Sequence, residues 1–207
     1  MSNEVKTKVN LDPKYIIKLT VTLFVTCVIV AGLLGGVNAI TADKIAAINW
    51  EKTVEAMKAV VADPDATSFS EALDKTAEME AAAAAYGTLD SVYEVQVDGA
   101  PAGYAIKVVS SGSQGSIEMM VGVDGEGVIT GVSIVSHSET SGIGTKVMGN
   151  EPTASGVGVL SQFEGKSAAD GTLSVGTNVD AISGATVSSK GVTAGVNAAL
   201  AVAAVLG

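Results

Sequence analysis

The chain has 207 residues, 47% of them hydrophobic and 16% charged, with a formal net charge of −10. That apolar content excludes a disordered acidic chain. An acidic balance without a single Arg excludes a phosphate-gripping nucleic-acid face. One Cys and one His exclude an intrachain disulfide, a Cys-ligated zinc or iron–sulfur centre and a multi-His site, so no bound metal is expected.

Residues 19–42 are an uncharged run of 24 residues rich in Leu, Val, Ile and Thr. At about 1.5 Å per helical residue the run reaches ~36 Å, enough for a hydrocarbon core of about 30 Å. A signal peptide competes, since Val37-Asn38-Ala39 offers small residues to a peptidase. Its apolar region would normally be only ~7–15 residues, so a retained membrane anchor in contact with lipid is expected. Cys27, mid-span, reads as a small membrane-buried hydrophobe. Lys6, Lys8, Lys14 and Lys18 precede the span against Glu4 and Asp12, whereas eight Lys face 20 acids after it. The positive-inside rule then predicts a single-pass protein of the cell membrane. Residues 1–18 lie in the cytoplasm and 43–207 on the extracytoplasmic side.

After the span, residues 43–62 read as an amphipathic helix, with Ile45, Ile48, Val54, Met57 and Val61 at steps of three or four. It is a possible stalk, stopped at Asp63-Pro64-Asp65. A second helix is predicted over 70–86, capped by Ser68 or Ser70 and ended by Gly87. Residues 43–90 are thus assigned to helices. From residue 91 the period becomes two: 91–97, 103–109, 116–123 and 128–135 read as strands of an antiparallel meander. Asp98-Gly99 and Asp124-Gly125 mark turns between them. The Gly- and Ser-rich stretch 145–179 offers no periodicity. Residues 187–206 read as a final Ala-rich helix rather than a second span. The expected class is α+β: one transmembrane helix, then a domain over 91–207 with an antiparallel sheet and flanking helices.

Directly before the last helix stands DAISGATVSS, residues 180–189. Gly184 permits a tight turn, and hydroxyls at Thr186, Ser188 and Ser189 sit where a helix begins. Unpaired N–H groups and the positive end of the macrodipole welcome an anion there, with Lys190 nearby. On these residues alone an ordinary Ser/Thr cap without ligand is the default reading, because hydroxyls before helices are common. No catalytic set is expected, because the lone His137 has no partner at a telling spacing.

The string resembles the flavin-attachment motif of the FMN-binding domain family, an Asp followed shortly by Ser/Thr-Gly-Ala-Thr. The resemblance implies covalent FMN, its phosphate esterified to Thr186 by a flavin transferase. Asp180 serves transferase recognition, and Ser183, Gly184 and Ala185 complete the motif. Upstream, residues 132–144 (VSIVSHSETSGIG) resemble the family's strand and loop ending His-x-Glu-Thr-Pro-Gly-Leu-Gly, with Ser141 for Pro and Ile143 for Leu. This implies that Glu139 and Thr140 meet the isoalloxazine edge and that Gly142 and Gly144 let the backbone approach it. Trp50 and the tyrosines could stack on a flavin, although packing is their default.

A single anchor with such a domain outside looks like the G subunit of Rnf complexes, the ion-pumping ferredoxin:NAD+ oxidoreductases. That likeness implies an electron-transfer subunit of a translocase with no stand-alone catalysis. Its partners would be polytopic membrane subunits and flavin and iron–sulfur subunits. The C subunit of Na+-translocating NADH:quinone reductase is similar but usually longer. From another class, a non-redox scaffold tethered to the membrane is the alternative.

Overall fold

The computed structural model describes residues 13–207, so Lys6 and Lys8 of the charge argument lie outside the described residues. The first helix, α1 (Pro13–Ala59), carries the apolar run. Every residue from 13 to 52 is exposed or half-buried. The hydroxyls of Thr20, Thr22, Thr26 and Thr41 each donate to the carbonyl four residues back, at 2.8–2.9 Å. Polar side chains bonded back to their own helix in this way suit an apolar surrounding. The described residues before Trp50 form one compact unit and Trp50–Gly207 another.

The second unit is built on a five-stranded antiparallel sheet in sequential order: β1 (Thr67–Ala72), β2 (Thr88–Val97), β3 (Ala100–Ser111), β4 (Ser116–Asp124) and β5 (Ile129–His137). The four predicted strands are β2–β5. Asp98 and Gly99 both have positive φ, 52° and 80°, as a two-residue hairpin between twisted strands requires. The predicted helix over 70–86 is a correction. Its first three residues belong to β1, which pairs along β2, and only Ala77–Ala83 is helical (α2). Ser70 does not cap a helix: its hydroxyl accepts the Glu94 N–H of β2 at 2.9 Å. The cap is Thr76, which accepts from the Met79 N–H. Cross-strand pairing overrides the weak helical propensity of the TSFSEA stretch.

The sheet has two packed faces. On one, Met57 in the last turn of α1 and Val60 just after it pack against Tyr93, Val95, Ala105 and Met120. Thr130 donates to the Val60 carbonyl at 2.6 Å, and Trp50 lies 6.3 Å from the Tyr93 ring. On the other face lie α2 and the final helix, α4 (Thr186–Leu206), whose Val192, Val196, Ala199 and Val202 join Ile106, Met119 and Val121. α4 is long and apolar enough to cross a membrane, yet it is the buried core helix of this unit.

The aperiodic stretch contains α3 (Gly144–Met148) and two 3₁₀ turns, Ser161–Phe163 and Ala168–Asp170. Side-chain amides do the work of a missing ladder there. Asn197 of α4 accepts from the Leu173 N–H (3.0 Å) and donates to its carbonyl (2.9 Å). Asn150 accepts the Leu160 and Ser161 N–H groups.

Ser110, on β3 beneath α4, is 4% exposed and its hydroxyl has no partner among the described residues. A buried unpaired hydroxyl costs about 1–3 kcal/mol. Ser110→Ala is therefore expected to stabilise the protein by roughly 1 kcal/mol. A denaturation midpoint unchanged or lowered in the variant would contradict this.

Candidate functional site

Three loops meet at one end of the sheet: the β3–β4 turn, the segment from β5 to α3, and the approach to α4. Gly184 has φ +83°, in the left-handed region that an L side chain avoids, and the Ala185 N–H closes the turn on the Ile182 carbonyl at 3.0 Å. Ala185 occupies the N-cap position of α4 and offers no side-chain acceptor. The first bond into the helix runs from the Ser189 N–H to the Ala185 carbonyl, 2.9 Å. The N–H groups of Thr186, Val187 and Ser188 are thus without helical partners, at the positive end of a 21-residue dipole.

The hydroxyls on this turn differ sharply. Thr186 is exposed. Ser188 is 2% exposed and donates to Glu139 Oε2, while Ser189, 1% exposed, donates to the Ala185 carbonyl at 3.1 Å. Thr186 alone of the three combines exposure with a position at the uncapped helix end.

Glu139 is 7% exposed and holds the three loops together. Its Oε1 accepts the Ser113 N–H at 2.7 Å and the Gln114 N–H at 3.1 Å, and its Oε2 accepts Ser188. A Cβ on Gly112 would strike Oε1, and one on Gly144 would stand 2.6 Å from Oε2, so two glycines make room for the carboxylate. Burial by itself raises its pKa. The Ser188 hydroxyl, the Gln114 and Ser113 amides and the charge of His137 outweigh burial and hold the carboxyl below its ordinary value. The Glu139 N–H in turn donates to His137 Nδ1 at 3.2 Å.

Thr186, Val187, Ser188, Ala185 and Gly184 line a cleft of ≈ 170 Å³ with Ser113, Glu139, Thr140, Ile143 and Gly144. The structure thus brings the two sequence motifs, some 40 residues apart, to one opening. Gly142 and Ser183 flank it without lining it. Lys190 faces a different groove, beside Leu173 and Asn197. Glu139 turns both oxygens onto protein donors, and Trp50 is on the opposite sheet face against Tyr93. Asp180 keeps an exposed side chain while its backbone is clamped by Gln162, which accepts its N–H (2.7 Å) and donates to its carbonyl (2.9 Å). Ser113 and Gln162 carried no sequence signal, because each is an ordinary polar residue whose partner is distant in the chain; Ser188 was marked as a helix-start hydroxyl, but not as a partner of Glu139.

Residues 112–201 match the FMN-binding domain family, a stretch that begins at the β3–β4 turn and includes every residue of the cleft. The chain is 35% identical over 210 residues to the G subunit of the Na+-translocating ferredoxin:NAD+ oxidoreductase complex of Acetobacterium woodii, covering 96% of this chain and 97% of that one. This chain belongs to the G-subunit family of ion-translocating oxidoreductase complexes. Further relatives in this family are the G subunits of the ion-translocating oxidoreductase complex of Methanosarcina acetivorans and of the proton-translocating ferredoxin:NAD+ oxidoreductase complex of Clostridium ljungdahlii. The first is 32% identical, covering 87% of this chain and 90% of that one; the second is 30% identical, covering 91% and 92%.

The G-family site fits a phosphate-bearing flavin on its own geometry. An uncapped helix end supplies anion-seeking N–H groups, and an exposed hydroxyl stands on its first residue. The opening also carries two exposed apolar side chains, Ile143 and Val187, 51% and 57% exposed.

Proposed function

We propose that this protein is the membrane-anchored electron-transfer subunit of an ion-translocating ferredoxin:NAD+ oxidoreductase complex, carrying FMN covalently on Thr186. The observation that carries the reading is Thr186 itself, the exposed hydroxyl at the uncapped start of α4 inside the family match. FMN, when bound, supplies reversible electron uptake and release at its ring.

The chain's own residues do the holding. The Thr186, Val187 and Ser188 N–H groups stabilise the phosphoester charge, by roughly 0.3–1 kcal/mol if exposed and up to ~2 if partly buried. Glu139 keeps Ser188 occupied and the three loops in register, and Gly144 and Thr140 form the opposite wall. Asp180 and Ser183 stand exposed on the approach to Thr186, where a flavin transferase can read them. With no charge between residues 19 and 42, the anchor offers no ion path of its own. Translocation belongs to polytopic partner subunits, and further flavin and iron–sulfur subunits exchange the electrons.

Denaturing gels of the protein co-expressed with a flavin transferase test the reading: a fluorescent band at the protein's mass is expected. A dark band beside a fluorescent positive control would favour a scaffold.

The lysine bias at the N-terminus supports a cytoplasmic start, a single retained pass through the membrane, and residues 43–207 outside. Protease added to right-side-out vesicles is expected to degrade the sheet domain. Protection in those vesicles, with cleavage only in inverted ones, would reverse the orientation. N-terminal sequencing is expected to find the chain intact upstream of Gly36, whereas a start at Ile40 would show cleavage.

A further inference from the structure

The loop leading to Thr186 alternates with a period of three. Val179, Ile182 and Ala185 are buried in the core, whereas Asp180, Ser183 and Thr186 are exposed. No regular element sets this spacing, because residues 180–185 lie outside every helix and strand. The chain is instead pinned along its length. Next to Thr186, the turn from Ile182 to Ala185 is closed by a backbone hydrogen bond and eased by Gly184. Before it, Ile182 is anchored in the core. At the start of the loop, a side chain from elsewhere does what a neighbouring strand would do. Gln162 Oε1 accepts the Asp180 N–H at 2.7 Å, and its Nε2 donates to the Asp180 carbonyl at 2.9 Å.

Gln162 is itself fixed. It sits in the 3₁₀ turn Ser161–Phe163, between the buried side chains of Val159 and Phe163. Its Nε2 also donates to the Val159 carbonyl at 2.9 Å, so both of its N–H groups are committed. Only the backbone of Asp180 is held in this way. Its carboxylate has no hydrogen-bond or ion-pair partner among the described residues and is left for another molecule.

Resting on the flavin-attachment reading above, we infer that Gln162 is a positioning residue for maturation: its clamp on Asp180 holds the Asp180–Ser183–Thr186 row in the conformation that the flavin transferase reads. The transferase thus recognises a folded loop rather than a flexible string. Meeting a loose segment, it would have to order the Asp180 backbone itself, at a cost of about tenfold in affinity. The transfer is a substitution without redox change. With FAD as donor, the bond from Thr186 Oγ to the FMN phosphorus forms and the phosphoanhydride bond breaks. AMP leaves with the Thr186 proton.

The test is the steady-state rate of covalent flavin attachment to full-length apoprotein in detergent, with purified transferase and FAD. It compares wild type, Gln162→Leu and Asn197→Leu, each checked for folding by circular dichroism. Asn197→Leu is the control, since it cuts the same kind of two-bond amide clamp on Leu173 instead of Asp180. Gln162→Leu is expected to raise the KM for the apoprotein about tenfold with kcat unchanged, and Asn197→Leu to stay within about threefold of wild type. If Gln162→Leu does not fold, Gln162→Glu takes its place: it keeps the acceptor for the Asp180 N–H, loses both donated bonds, and is expected to raise KM as well. A wild-type KM in the folded Gln162 variant, or an equal rise in Asn197→Leu, would overturn the positioning role while leaving the Thr186 assignment standing. No adduct on wild type, with a transferase active on a positive control, would overturn both.

Discussion

Thr186→Val is expected to abolish covalent flavin while leaving the fold intact. Val keeps the size and branching of Thr, and at an exposed first helical position the exchange falls within the usual ±0.5 kcal/mol of surface substitutions. It removes the oxygen proposed to carry the ester. The loss is all-or-none because the neighbouring hydroxyls are no substitute: Ser188 is bound to Glu139 and Ser189 to the Ala185 carbonyl, both in the interior. Ser189→Ala is accordingly expected to keep the flavin. In-gel fluorescence with a functional transferase, paired with thermal denaturation, checks the prediction. A fluorescent Thr186→Val protein would move the attachment to another residue.

Glu139→Gln is expected to be the most damaging conservative change in the site. An amide in place of the carboxylate puts an NH₂ against a cradle made of donors, the Ser113 and Gln114 N–H groups and the Ser188 hydroxyl. Each buried donor left unpaired costs about 1–3 kcal/mol, so a loss on the order of 3 kcal/mol is expected. For a domain of this size that corresponds to a Tm lower by roughly 6–12 °C. The pH dependence has a definite sign. The folded carboxyl lies below its ordinary value of 4.5, so its contribution is complete above the ordinary range and is lost as pH falls through the lowered folded value. The gap between wild type and Glu139→Gln should therefore be full at pH 7 and shrink in strong acid. A gap that widens on acidification would contradict an ionised, donor-held Glu139.

What was legible in the sequence follows from how local each signal is. The strands β2–β5 alternate within themselves, and Asp98-Gly99 specifies its hairpin, so the meander could be read without tertiary knowledge. β1 could not, because TSFSEA is a strand only through its pairing with β2, and Ser70 is a cross-strand acceptor only once Glu94 is beside it. The stretch 145–179 was opaque for a related reason. Its backbone groups are satisfied by Asn150, Gln162 and Asn197 rather than by a repeating ladder, and such bonds leave no period.

The site divides in the same way. The turn at Gly184 and the hydroxyls after it announce a helix start, and the family motif singles out Thr186 among them. The part played by Glu139 was hidden, since its partners lie 26 residues upstream and 49 downstream. Read as a contact to the flavin edge, it stands in the structure as the buried carboxylate that joins the loops.

The most direct measurement is peptide mass mapping of the wild-type protein matured with its transferase. Cleavage after Lys166 and Lys190 releases residues 167–190 with every hydroxyl at issue on one fragment. The account predicts an added mass of FMN less water, with fragmentation placing it on Thr186. The same mass on Ser183, Ser188 or Ser189, or an unmodified fragment from protein made with an active transferase, would contradict it.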